Sequence, residues 1–123
     1  MAATHELRVG VSDKPPWTRA ASAVPEGIEP DLVRAFAAKQ GARVLWTKGS
    51  ETPLVQSLKR NELDLVIGGF DMKTHWAATA GVTQPFTKDA DGKKHVFLAA
   101  PGENRFILSL DRFLTERMRK ASS

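Results

Sequence analysis

Cysteine is absent from the 123 residues, which removes thiol catalysis, disulfide frameworks and cysteine-ligated zinc but leaves the cellular compartment open. No apolar run approaches the ~20 residues that a membrane span requires. The opening residues, MAATHELRVG, lack the apolar centre of a signal peptide. The chain as given is therefore expected to be soluble, and Ala2-Ala3 ahead of a strand would suit a removed leader replaced by an initiator Met. Charge clustering is lacking too. Eighteen Lys plus Arg against fourteen Asp plus Glu give +4, yet the cations are dispersed. The densest run, Arg112 to Lys120, alternates with Phe113, Leu114 and Met118 as the solvated side of an amphipathic helix does. Nucleic acid is not an expected partner. His5, His75 and His95 stand apart with no carboxylate or histidine at ligand spacing, which argues against a metal site; of the three, His75 alone is expected on the functional rim. Ser12 lacks a G-x-S-x-G context, and Gly68-Gly69 lacks the further glycine and Lys-Ser/Thr of a phosphate loop. No cofactor is expected.

What is present is a single-domain composition, 41% hydrophobic and 26% charged, with alternating strand and helix patterns. Leu7, Val9 and Val11 alternate as a strand that Asp13-Lys14-Pro15-Pro16 must end. A loop over 17–27 leads to a helix opened by Glu29-Pro30-Asp31, acids suiting its positive end, and stopped at Gly41. A second strand is expected over 42–47. A helix capped by Thr52 with Pro53 at its first position follows, then a nearly continuous apolar strand over 63–67 of the kind buried on both faces. Strand, helix, strand, helix, strand predicts right-handed crossovers and a parallel sheet. Beyond Gly68-Gly69 the pattern predicts a helical turn at 73–78, a short strand at 82–86, a polar turn at 87–94, a strand at 95–99 and a closing helix. Loops at the carboxyl ends of such strands are where small ligands dock.

The opening LRVGVS with its proline-and-aromatic loop, the G-x-x-x-D-L of Gly27 to Leu32, NELDLVIGG and Thr83-Gln84-Pro85-Phe86 resemble, in order and spacing, the amino-terminal lobe of bacterial extracellular solute-binding proteins of the polar-amino-acid type. The resemblance implies an α/β three-layer sandwich, one lobe of the type 2 periplasmic binding protein fold. It implies about five mostly parallel strands in the order 2-1-3-5-4. It also implies a periplasmic location and a membrane-transporter (ABC importer) partner. In that family the chain leaves after T-x-P-F/Y to build a second lobe; here the polar turn 87–94 leaves no room for one. The expected organisation of 1–123 is thus one lobe, with a core over 6–86 and a returning strand and closing helix over 95–119.

The ligand residues expected on this basis are Asp13, Trp17, Gly69, Phe70, Asp71, Lys73, Thr74 and Trp76. Trp17 suits stacking on a ligand or covering its own lobe. Asp71 suits a cationic group or the cap of the following turn. The family's carboxylate-clamping Arg falls at Trp76 and its hydroxyl residue at Lys73 or Thr74, so Lys73 supplies a point charge in place of a guanidinium fork. Half a pocket should bind weakly unless a second chain covers it. Three functions compete: capture of a small polar solute, amino-acid-like and helped by a homodimer; an interaction or assembly module that has lost solute capture; and an enzyme. The last is disfavoured because the cleft acids Asp13 and Asp71 lack surroundings that would tune them for acid and base work.

Overall fold

A computed structural model describes residues 6–21 and 24–122; His5 and the Ala2-Ala3 pair lie outside them. Five strands form one sheet: β1 (Glu6–Val11), β2 (Arg43–Lys48), β3 (Leu65–Ile67), β4 (Gly81–Val82) and, further along the chain, β7 (Leu98–Ala99). Between these last two, β5 (Thr87–Lys88) and β6 (Lys94–His95) form a separate hairpin. The sheet order is β2-β1-β3-β7-β4, which is the expected 2-1-3-5-4 once the hairpin strands are set aside. β1 pairs in parallel with β2 and β3, while β7 runs antiparallel to both β3 and β4. Four of the five main-sheet strands therefore share one direction.

Three layers follow from how the strand residues divide. Leu7, Val9, Val11, Leu65, Ile67, Phe97 and Ala99 face helices α1 (Ile28–Gln40) and α3 (Asn104–Ser122). Their neighbours Val66, Val96 and Leu98 face α2 (Glu51–Lys59) through Leu54, Val55 and Leu58. Strand residues of β3 and β7 thus go alternately to two separate cores, the period-2 pattern of a sheet covered on both sides. β2 at the edge packs only Val44 and Trp46 inward and leaves Leu45 exposed. α3 buries Leu110, Phe113 and Leu114 and rests Phe106 and Ile107 on the same core, as its helical spacing predicts.

Departures from expectation are local. α1 does stop at Gly41, whose φ is 66°. α2 begins at Glu51, so Ser50 rather than Thr52 holds the cap position and Pro53 sits third, where its missing N–H is still among those with no partner inside the helix. The expected strand over 82–86 ends at Val82. From there the ladder loosens: Thr83 and Phe86 N–H still donate to the Phe97 and His95 carbonyls, but the Thr83 hydroxyl accepts from Phe97 N–H and Asp111 accepts from Gln84 N–H. The expected strand over 95–99 is split between two sheets, because His95 pairs with Thr87 in the hairpin while Leu98 and Ala99 join the main sheet. No helix among the described residues is long and apolar enough to cross a membrane.

Candidate functional site

Parallel pairing of β1 with β3 brings Ser12 and Gly68-Gly69 to one rim, where Ser12 N–H donates to the Ile67 carbonyl. The loop leaving β1 is pinned there. Thr18 donates its hydroxyl to the Ser12 carbonyl, Lys14 and Thr18 exchange backbone hydrogen bonds, and Glu29 N–H donates to the Trp17 carbonyl. Gly27 allows this approach: its φ is 124°, and a side chain there would meet the Trp17 carbonyl oxygen at 2.7 Å. Gly69, with φ 67°, likewise leaves room for the Lys14 stem.

The rim borders an open cleft of about 1130 Å³. Its walls are Lys14, Pro15 and Trp17 on one side, the segment Gly68–His75 on another, and the hairpin residues Asp89 and Asp91–His95 on a third. Both signs of charge line it, Lys14, Lys73, Lys93 and Lys94 together with Glu51, Asp71, Asp89 and Asp91.

Of the residues expected from the sequence, Trp17, Gly69, Phe70, Asp71, Lys73 and Thr74 border this cleft. Two of the eight are turned to other partners. Asp13 accepts from Ala20 N–H at 2.8 Å and braces the loop. Trp76 donates its indole N–H to Glu51 at 3.0 Å and packs on the α2-side core. Within the cleft, Phe70 is buried in that core. The Asp71 carboxylate accepts from Lys73 N–H, and the Thr74 hydroxyl caps the 3-10 turn His75–Ala78. Lys73 is exposed and Trp17 half-buried, so these two side chains have surface free for a ligand.

Beneath the cleft wall lies a chemically unusual group, Glu29, His95 and Asp89, of which His95 and Asp89 border the cleft and Glu29 is buried behind them; none of the three is assigned to the ligand from the sequence. Glu29 is fully buried, and its Oε1 accepts from Gly68 N–H at 3.2 Å and Gly69 N–H at 3.0 Å. Burial pushes its carboxyl up to about 7, against the lowering effect of those two backbone donors. His95 is buried beside it, with Nε2 2.9 Å from Asp89 Oδ2 and its ring stacked on Trp17 at a centroid distance of 3.8 Å. The hydrogen bond from His95 holds the Asp89 carboxyl below the usual carboxylate range. The expectation that His75 alone reaches the rim is thus corrected: both border the cleft, and His95 is the one built into it. A signal was available in the sequence, since a histidine opening the apolar run HVFLAA directly after a turn containing Asp89 sits where strand meets loop. Trp17 proves to cover its own lobe with one face.

A two-sided α/β sandwich with its cleft at the carboxyl ends of β1 and β3 defines a single lobe of the type 2 periplasmic binding protein fold. Within that class the chain belongs to the bacterial extracellular solute-binding proteins, family 3, which it matches over residues 7–120. Among solved structures it is similar to the arginine-bound form of domain 1 from TmArgBP, at 18% identity and a TM-score of 0.83, with 93% of this chain and 94% of that one covered. It is also similar to a periplasmic binding protein of Salmonella typhimurium described for high arginine specificity. There the identity is 12% and the TM-score 0.78, over 94% of each chain. An ancestral cyclohexadienyl dehydratase is similar at 11% identity and a TM-score of 0.83, covering 97% of this chain and 89% of that one. At these identities the likeness concerns the fold. A search of curated proteins gave no match.

Proposed function

We propose that this chain is a solute-binding lobe that captures a small polar, amino-acid-like solute in the cleft between Trp17, the Gly69–Thr74 segment and the hairpin. The observation that carries the reading is the cleft itself, sited at the carboxyl ends of parallel strands and lined by both cations and anions, as a zwitterion requires. Lys73 serves the solute's carboxylate as a point charge, the free face of Trp17 meets its side chain, and Asp71 stands by for a cationic group. The polar turn 87–94, closed into a hairpin, takes the place of the second lobe and supplies a partial third wall. Capture is consequently weak, with Kd of about 0.1–1 mM, or is strengthened by a second copy of the chain over the open face. The working location is the periplasm with an ABC importer as partner, and the lobe does not act as an enzyme; the family's solute-binding character supports this.

One observation favours a second reading, an assembly module that has lost solute capture: Glu29 already occupies the Gly68 and Gly69 N–H groups on the rim. The two are separated by calorimetric titration with arginine, lysine, glutamine and glutamate, run beside sedimentation velocity over a wide concentration range. Saturable binding weakened at least about fivefold by Lys73→Ala and by Trp17→Ala is the expected result, about 1 kcal/mol per contact. Self-association with no solute response up to millimolar concentration would select the second reading instead.

A further inference from the structure

The Glu29 carboxyl uses only one of its oxygens on the glycine N–H groups. Its Oε2 is buried and has no hydrogen-bond partner among the described residues. The ring nitrogen beside it, His95 Nδ1 at 3.9 Å, is buried and equally without a partner among the described residues. On the other side of the imidazole, Asp89 Oδ1 accepts from Asp91 N–H and Lys93 N–H, and its Oδ2 lies 2.9 Å from His95 Nε2. A carboxyl so surrounded stays ionised and needs Nε2 to donate, so the contact between Nδ1 and Oε2 has to be closed by one further proton; in a pocket shut off from water, placing that proton on Oε2 and leaving Nδ1 a lone pair avoids the buried ion pair that a proton on Nδ1 would make. An ionised Glu29 would then set a buried anionic oxygen against that lone pair, with neither atom compensated for lost water. A proton on Oε2 satisfies both atoms. Side-chain movement of less than about 1 Å brings the pair to hydrogen-bond length.

We propose that Glu29 is a neutral carboxylic acid in the folded protein, heading a directed hydrogen-bond chain from Glu29 Oε2–H to His95 Nδ1 and from His95 Nε2–H to Asp89, and that this chain fixes Trp17 and the hairpin as walls of the cleft. Glu29 is a positioning residue, acting through the imidazole that stacks on Trp17. Three other charged groups border the chain from the elements packed against it. Lys14, on the loop after β1, lies along Gly69. Asp71, on the segment after β3, turns its carboxylate to Lys73 N–H. Lys94 flanks His95 on β6 and is exposed. The consequence for solute capture rests on the solute-binding reading; the protonation itself does not.

Because folding raises the pKa of this acid, the folded protein keeps a proton that the unfolded chain releases. The stability tied to Glu29 is therefore complete below about 4.5 and is lost as pH rises towards about 7. Glu29→Gln keeps an oxygen for the two glycine N–H groups and presents an N–H to Nδ1, imitating the neutral acid without titrating. Urea unfolding of the wild type and E29Q from pH 4 to 9 is the test. The ratio of their unfolding constants should climb through that window, at most roughly tenfold per pH unit, and level off above it. Nitrogen-15 spectra of the imidazole at about pH 5.5, inside the window where the folded acid keeps its proton, should show His95 protonated on Nε2 alone, and solute binding should weaken above pH 7 in the wild type but not in E29Q. A flat ratio, or a ring protonated on both nitrogens, overturns the proposal, and if E29Q does not fold the wild-type spectrum decides. If neither protein binds any solute while ratio and spectrum come out as expected, the solute-binding reading fails and the proton chain stands.

Discussion

Two buried acids lie at opposite ends of the central strands, and their surroundings differ. Asp64, just before β3, accepts from the Arg8 backbone N–H at 2.8 Å and from its guanidinium at 3.0 and 3.3 Å, joining β1 to β3. Glu29, at the cleft end, has two backbone donors on one oxygen and His95 Nδ1 at 3.9 Å from the other. One acid is matched by a cation whose high pKa it raises further; the other is matched by a proton. The amino end of the sheet is thus arranged for stability, whereas the carboxyl end holds a titratable group where a ligand would arrive.

The largest effect should come from breaking the matched end. Asp64→Ala strands three Arg8 donors, and because the Arg8 side chain is 32% exposed it regains part of its hydration. The expected loss is about 2–3 kcal/mol, read as a lower urea midpoint at unchanged slope. Solute binding and the pH dependence between about 4.5 and 7 should be untouched. A change in either would show that the two ends are coupled and would break the contrast.

A smaller loss is expected at the cleft end. Gly69→Ala places a side chain at φ 67° and 2.7 Å from the Lys14 stem, which is flexible enough to yield. The cost should be about 1–2 kcal/mol, mostly backbone strain. Unlike D64A, this variant should also weaken solute binding, since Lys14 is displaced into the cleft. Equal binding by the two variants in titration calorimetry would remove the assignment of Gly69 to the site.

The same contrast governs what could be read from the sequence. Strand alternation in Leu7-Val9-Val11, the apolar run before Gly68-Gly69 and the spacing of Phe106 to Leu114 each reflect burial on a regular element, and each is found where expected. Chain order, through the resemblance, extended this to the sheet order. The Glu29–His95–Asp89 group was less legible because its members come from three elements, Glu29 from α1, Asp89 from the hairpin turn and His95 from β6. Glu29 reads locally as an acid suiting a helix start, and only the tertiary position of Gly68-Gly69 turns it inward. Asp13 and Trp76 fail to line the cleft for a related reason: a nearby backbone N–H and the Glu51 carboxylate offer them local partners that residue type alone does not disclose.

The smallest effect, and the sharpest on sign, belongs to the hairpin. Asp89 is held below the usual carboxylate range chiefly by its hydrogen bond with His95, with the Lys93 and Asp91 N–H groups adding to it. A depressed acid contributes stability that is present above the unfolded carboxylate pKa and is lost as pH falls through the folded one. Its pH dependence is therefore opposite to that of Glu29, although both contact the same imidazole. Asp89→Asn keeps an oxygen and removes the charge, so the wild type should exceed D89N in stability at neutral pH and the two should converge on acidification. Thermal unfolding from pH 2 to 7 reads this directly. A gap between them that does not change with pH would mean that Asp89 meets His95 without charge. The ring would then no longer be obliged to donate from Nε2, and the case for a neutral Glu29 would lose its first step.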